Sequence, residues 1–268
     1  MTRVGFVGLG SQGGPMARRI IDAGFPTTLW ARRPETLEPF ADTPAQVAAS
    51  PAELGAASDV LCVCVVDDAG VDEVLRGPDG ALVAMAEGSI VVVHSTVHLM
   101  TCARLQADFP ALRVVDAPVS GGGHKAAERE LLVMAGGASD VVARVLPILE
   151  TFGNPVLHVG PLGTGQEAKL LNNMVFTAQL ALAAEVFDLA ATRHLDRQAV
   201  ATMLSMGSGR SYAAEVLAGA EFDLESFGAL AGTLLAKDVA ILSDHTTMTE
   251  SCLLGAADQA LERMRCSR

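Results

Sequence analysis

The sequence predicts an α/β chain: an N-terminal doubly wound, mostly parallel sheet over residues 1–162, then an all-helical segment over residues 163–268, joined by one long helix. Three observations carry this reading. Short, nearly continuous apolar runs alternate with helical patterns as far as Gly160, which is how parallel strands covered on both faces read. Beyond Gly160 only helical patterns follow. Between the two parts lies Gln166 to Leu195, free of Gly and Pro and apolar on nearly every face past its first two turns, as a buried helix is.

Composition narrows the partners. Half of the 268 residues are hydrophobic and few are aromatic, so aliphatic side chains build the core. A formal charge of −12 argues against a general nucleic-acid surface or an anionic membrane surface. The first apolar run begins at Val4, which leaves no room for a signal-peptide core, and no apolar run approaches a membrane span. The five cysteines, with Cys62 and Cys64 inside an apolar run and Cys252 in a helical pattern, read as reduced small hydrophobes of a cytoplasmic protein.

The first strand, Val4 to Val7, runs straight into Gly8-Leu9-Gly10-Ser11-Gln12-Gly13 and a helix. In that context the three glycines mean dinucleotide pyrophosphate binding. Gly8 makes a tight turn, Gly10 lets backbone approach phosphate, and Gly13 lets helix pack on strand, with the phosphates over the helix N-terminus. A second strand, Pro26 to Ala31, ends in Arg32-Arg33 rather than in the acid that would hold a ribose hydroxyl. Guanidinium groups match phosphate oxygens, so the turn favours NADP, with NAD possible and Glu35 as the nearby opposing acid.

Further strands are predicted at 59–66, 89–94, 112–115, 131–135 and 155–159, with helical segments at 45–57 and 71–75 and antiparallel or mixed pairing past Asp116. His94, His98 and Cys102 are spaced by four, but Ser95-Thr96 directly after a strand speaks against one helix carrying all three, so no metal site is expected. Ser120-Gly121-Gly122-Gly123 is either a structural loop or a turn whose N–H groups hold a carboxylate. Lys169 and Asn173 share one face at the start of the long helix, beside Asn172. The helix dipole disfavours a second positive charge there, which suits a general acid or base. A solvated first-turn lysine is the other reading.

Four ordered stretches, GFVGLGSQGGPMA from Gly5, DAPVSGG from Asp116, GTGQEAKLLNN from Gly163 and Lys237-Asp238, resemble the β-hydroxyacid dehydrogenase family. The resemblance implies a Rossmann domain that binds a nicotinamide cofactor through Gly8 to Gly13, with Ser95 and Thr96 beside the nicotinamide. It implies that Ser120, Gly121 and Gly122 hold the carboxylate of a small substrate, that Lys169 is catalytic, that Asn173 orients the substrate, and that Lys237 approaches the cofactor. The implied reaction moves a hydride between NADP and a small 3-hydroxy acid or its semialdehyde, in a homodimer or homotetramer. The alternatives are an imine reductase on the same fold, against which Lys169 argues, and a catalytically silent NADP-binding regulator. Gln12, His124, Lys125, Arg129 and Glu130 depart from the family pattern. His124 and Lys125 either add polar donors to the substrate pocket or decorate a loop.

Overall fold

The computed structural model describes residues 1–245 and 251–268. In chain order its strands are β1 (Val4–Val7), β2 (Thr27–Trp30), β3 (Gln46–Val47), β4 (Val60–Val63), β5 (Ile90–Val93), β6 (Arg113–Asp116), β7 (Val119–Ser120), β8 (Leu131–Gly136) and β9 (Gly153–Gly160). The helices are α1 (Gly13–Asp22), α2 (Pro51–Ala56), α3 (Asp68–Arg76), α4 (Thr101–Asp108), α5 (Gly122–Ala127), α6 (Ser139–Leu149), α7 (Thr164–Thr192), α8 (Arg197–Met206), α9 (Tyr212–Gly219), α10 (Leu224–His245) and α11 (Cys252–Arg263). By compactness the chain divides into Met1–Lys169 and Leu170–Arg268.

The first unit is one sheet in the order β3-β2-β1-β4-β5-β6-β8-β7, with β9 pairing β8. Pairing is parallel from β3 to β6, antiparallel where β8 meets β6 and β7, and parallel again between β8 and β9. The edge past Asp116 is therefore mixed. Successive strand residues feed two cores: Phe6, Cys62 and Val92 pack with Met16 and Ile20 of α1, whereas Val7, Val63 and Val93 pack with Leu54, Val71 and Leu105 of α2, α3 and α4. Each such fully buried aliphatic side chain contributes about 1.5–3 kcal/mol relative to exposure.

Two expectations need correction. The segment 45–57 is not one helix, because Gln46 and Val47 pair with β2 and α2 begins only at Pro51, where the Ser50 side chain accepts the N–H of Glu53. Ser-Pro is a start signal that apolar spacing alone runs across. Among the described residues two helices, α7 and α10, are also long and apolar enough to cross a membrane, although half of the most apolar stretch of α7 is buried within the protein. Polar residues interrupt each run without lowering its mean hydropathy much.

In the second unit, α10 and α11 are consecutive helices that pack together. Gly228 and Gly232 lie one turn apart on α10, and a Cβ on them would come within 2.6 Å of Met264 Cβ and 2.5 Å of Cys266 Sγ.

Candidate active site

The glycine turn fits a dinucleotide position by position. Gly8 has φ +93°, and a side chain there would collide with the carbonyl of Cys64. At Gly13 it would collide with the carbonyl of Gly8, so β1 and α1 approach as closely as backbone permits. At Gly10 a Cβ would meet no protein atom within 4 Å, so packing against the fold does not require this glycine. A phosphate brought against the backbone does. Helix α1 has no acidic residue in its first turn, and the side chain of its N-cap residue, Gln12, makes no capping bond but reaches Met16 Sδ at 3.7 Å. A helix start without acidic side chains is a favourable place for a pyrophosphate. A cleft of about 430 Å³ opens beside the turn, between Gly10, Ser11 and Arg18 on one side and Thr36, Pro39 and Phe40 on the other. Arg18 braces that wall through two 2.9 Å bonds to Asp42.

Arg32 and Arg33 are both exposed just past β2. Arg33 lies 3.9 Å from Glu35, but Arg32 Nη1 is engaged at 3.1 Å by Glu73 of α3. Sequence spacing weighed Glu35 and missed Glu73.

The turn after β5 is tied down on several sides. Ser95 is buried, and its Oγ accepts the N–H of Val65 at 2.8 Å, so this hydroxyl joins the ends of β4 and β5. Thr96 is half-buried beside it. His94 and His98 share no helix with Cys102, since β5 ends at Val93 and α4 begins at Thr101. His94 is sealed in the core between Phe6 and Phe152, with Nδ1 2.8 Å from the carbonyl of Ala117 and Nε2 without a hydrogen bond. Burial depresses its pKa to about 4.

The loop from Ser120 into α5 takes positive φ at Gly121 (134°) and Gly122 (76°), and Gly123 sits so close to Ser11 that a side chain would collide with the Ser11 carbonyl. The structure thus brings the carboxylate-binding candidate against the cofactor turn. The side chain of His124 is 84% exposed and faces Glu128 at 3.3 Å, while Lys125 pairs with Glu130 at 3.2 Å. Both are occupied within their own turn, as loop decoration is.

Lys169 is half-buried near the start of α7, and the anchor of that helix is Asp116. The buried Asp116 carboxylate accepts N–H groups of Gly163 and Gln166, both at 2.7 Å. Burial raises its pKa, and those backbone N–H bonds oppose the rise. In the second unit, Asn173 Nδ2 donates to Asp238 Oδ2 at 2.6 Å, and Lys237 Nζ pairs with the other oxygen of the same carboxylate at 2.8 Å. Asp238 is buried and orders both candidates at once.

Comparison with known proteins names the arrangement. Residues 3–160 match the model for the NAD-binding domain of 6-phosphogluconate dehydrogenase, and residues 163–266 match that for NAD-binding of NADP-dependent 3-hydroxyisobutyrate dehydrogenase. The chain belongs to the β-hydroxyacid dehydrogenase family. Mitochondrial 3-hydroxyisobutyrate dehydrogenase of Mus musculus is 33% identical in an alignment spanning 100% of this chain and 83% of the relative. L-threonate dehydrogenase of Cupriavidus necator is 32% identical over 78% of this chain and 71% of its own. The structure of Mycobacterium tuberculosis 3-hydroxyisobutyrate dehydrogenase with L-serine superposes with TM-score 0.82 at 26% identity, covering 98% of this chain and 93% of that one. As a β-hydroxyacid dehydrogenase, this chain is an NAD(P)-dependent oxidoreductase of hydroxy acids.

Proposed function

We propose that this β-hydroxyacid dehydrogenase interconverts a small 3-hydroxy acid and its semialdehyde with NADP as the preferred cofactor. The observation that carries the reading is Lys169, set by Asp116 at the start of α7 in the same unit as the glycine turn and the Ser120 loop. When bound, the nicotinamide supplies the hydride acceptor or donor. Ser120 Oγ and the N–H groups of Gly121 and Gly122 hold the substrate carboxylate, and Lys169 takes the hydroxyl proton in oxidation or returns it in reduction. Asn173, held by Asp238, orients the substrate, and Lys237, on the same carboxylate, approaches the cofactor.

The reading includes a cytoplasmic location and a second copy of the chain as partner. Leu171, Val175, Leu182, Val186 and Leu189 recur at helical spacing along α7 and are all exposed, a stripe of a kind that marks an interaction surface. Light scattering of the purified chain at a dimer or tetramer mass supports that partner; a monomer mass removes it. The deciding test of the activity is a screen of small hydroxy acids and semialdehydes with both cofactors. Turnover of a 3-hydroxy acid, faster with NADP, is expected, and turnover confined to imines overturns the reading.

A further inference from the structure

Gln166 has no exposed surface, yet its side chain is polar at both ends and both ends are used. Its Oε1 accepts the N–H of Val97 at 3.1 Å, and its Nε2 donates to the carbonyl of Ser95 at 2.8 Å. Because Val97 N–H can only donate and a carbonyl can only accept, the partners fix which way the amide points. The backbone N–H of the same residue is the one taken by Asp116 at 2.7 Å. One residue therefore ties the first turn of α7 to the end of β6 and to both sides of Thr96. Ser95 Oγ, accepting from Val65, extends the tie to the end of β4.

The position of this tie matters for chemistry. In an open parallel sheet the ligand lies outside the carboxyl ends of the strands. The turn after β5 is there, on the opposite side of β1 from β2 and its arginines, so it borders the half of the dinucleotide remote from the adenosine phosphate. Lys169 follows Gln166 by three residues and projects from the same side of the helix one turn on. We infer that Gln166 is a positioning residue for the reaction: it holds the Ser95–Val97 turn in register with the start of α7 and so fixes the distance from Lys169 to the reacting end of the cofactor. This rests on the hydroxyacid reading above. Of the common side chains only glutamine offers one donor and one acceptor at this reach. Leucine offers neither, and an ionised glutamate sets a second acceptor against the Ser95 carbonyl.

The test uses the full chain with Gln166→Leu and Gln166→Glu, comparing kcat, KM and the Kd of NADPH at a temperature where each variant is folded. For Gln166→Leu, kcat should fall by about 10- to 100-fold, the scale of an ångström-sized misplacement. The Kd of NADPH should hold within about threefold, because the glycine turn binds the phosphates. For Gln166→Glu, the deficit in kcat relative to the unmodified chain should narrow as pH falls, since a protonated carboxyl again donates to Ser95 and accepts from Val97. The leucine variant should show no such narrowing. A purely structural lock would lower thermal stability and leave both kcat and this pH signature unmoved. A folded leucine variant with kcat and KM equal to those of the unmodified chain overturns the inference alone. An unmodified chain that binds NADPH but turns over no hydroxy acid overturns the underlying reading, and the inference with it.

Discussion

The carboxylate of Asp116, at the end of β6, caps the helix that carries Lys169: it accepts the N–H of Gln166 at 2.7 Å, fifty residues further along the chain. Two of the otherwise unpaired N–H donors at this helix start are thereby satisfied inside the protein by a single acid. Asp116→Asn keeps the shape but turns an amide donor toward one of them. A buried donor left facing a donor costs about 1–3 kcal/mol. Denaturant unfolding should show a loss of that size together with a lower kcat, since the helix start shifts. Unchanged values of both would show that the cap positions nothing.

His94 makes stability depend on acid. Its ordinary value near 6.5 is depressed to about 4 by burial, so the unfolded chain binds a proton between those values that the folded chain refuses. The stability associated with the neutral ring is complete above about pH 6.5 and is lost as pH falls toward 4. At about 1.4 kcal/mol per unit, the effect is on the order of 3 kcal/mol. Unfolding midpoints at pH 7 and pH 5 should differ for the unmodified chain and differ less for His94→Phe. Equal slopes would assign the acid sensitivity elsewhere.

Arg129 has φ +64°, a left-handed conformation that glycine adopts without penalty. Among the described residues its guanidinium makes only a long 3.4 Å bond to the carbonyl of Glu150. Arg129→Gly should therefore stabilise the fold by about 0.5–1 kcal/mol, net of the greater freedom glycine has when unfolded. A lower melting temperature for the variant would contradict the strain.

How much of this was readable beforehand divides by the distance over which each cause acts. The roles of Gly8 and Gly13 were legible because the atoms that forbid a side chain there belong to the same turn and to its neighbouring strand. Arg129 stood out as a departure from the family pattern, and its φ of +64° is one that glycine adopts without penalty. The sequence does not single out Gln166, because its partners lie 69 and 71 residues away, in a turn that no spacing rule connects to it. Glu73 was missed for the same reason, 41 residues from Arg32. The short strand β3 was lost inside a helical pattern because two residues carry too little periodicity to register.

Cofactor choice should depend on Arg32 and its tether. A preference for NADP over NAD of at least tenfold, about 1.4 kcal/mol, is the size one charge-assisted contact supplies. Arg32→Ala should lower that preference. Because Glu73 holds the same guanidinium at 3.1 Å, Glu73→Gln should raise it, with NAD affinity unmoved. Fluorescence titration with both cofactors reads all three forms, and equal affinity of the unmodified chain for NAD and NADP would remove the 2′-phosphate from this turn.

Lys169 is the residue on which the chemistry turns. A positioned acid or base is worth about 10²- to 10⁴-fold in rate, so Lys169→Ala should lower kcat by that range while cofactor affinity stays near its original value. The phosphates are held elsewhere, by the glycine turn, whose fit to them does not involve this side chain. Lys169→Arg should fail almost as badly, because guanidinium keeps its charge but does not exchange a proton near neutral pH. If the ammonium also steadies the substrate carboxylate, KM rises together with the fall in kcat. For hydroxy-acid oxidation, kcat/KM should climb with pH as the lysine becomes able to accept the hydroxyl proton, and that limb should vanish in the alanine variant. A folded alanine variant that binds NADP and oxidises the acid at nearly the full rate would take the lysine out of the reaction and leave proton transfer to another group.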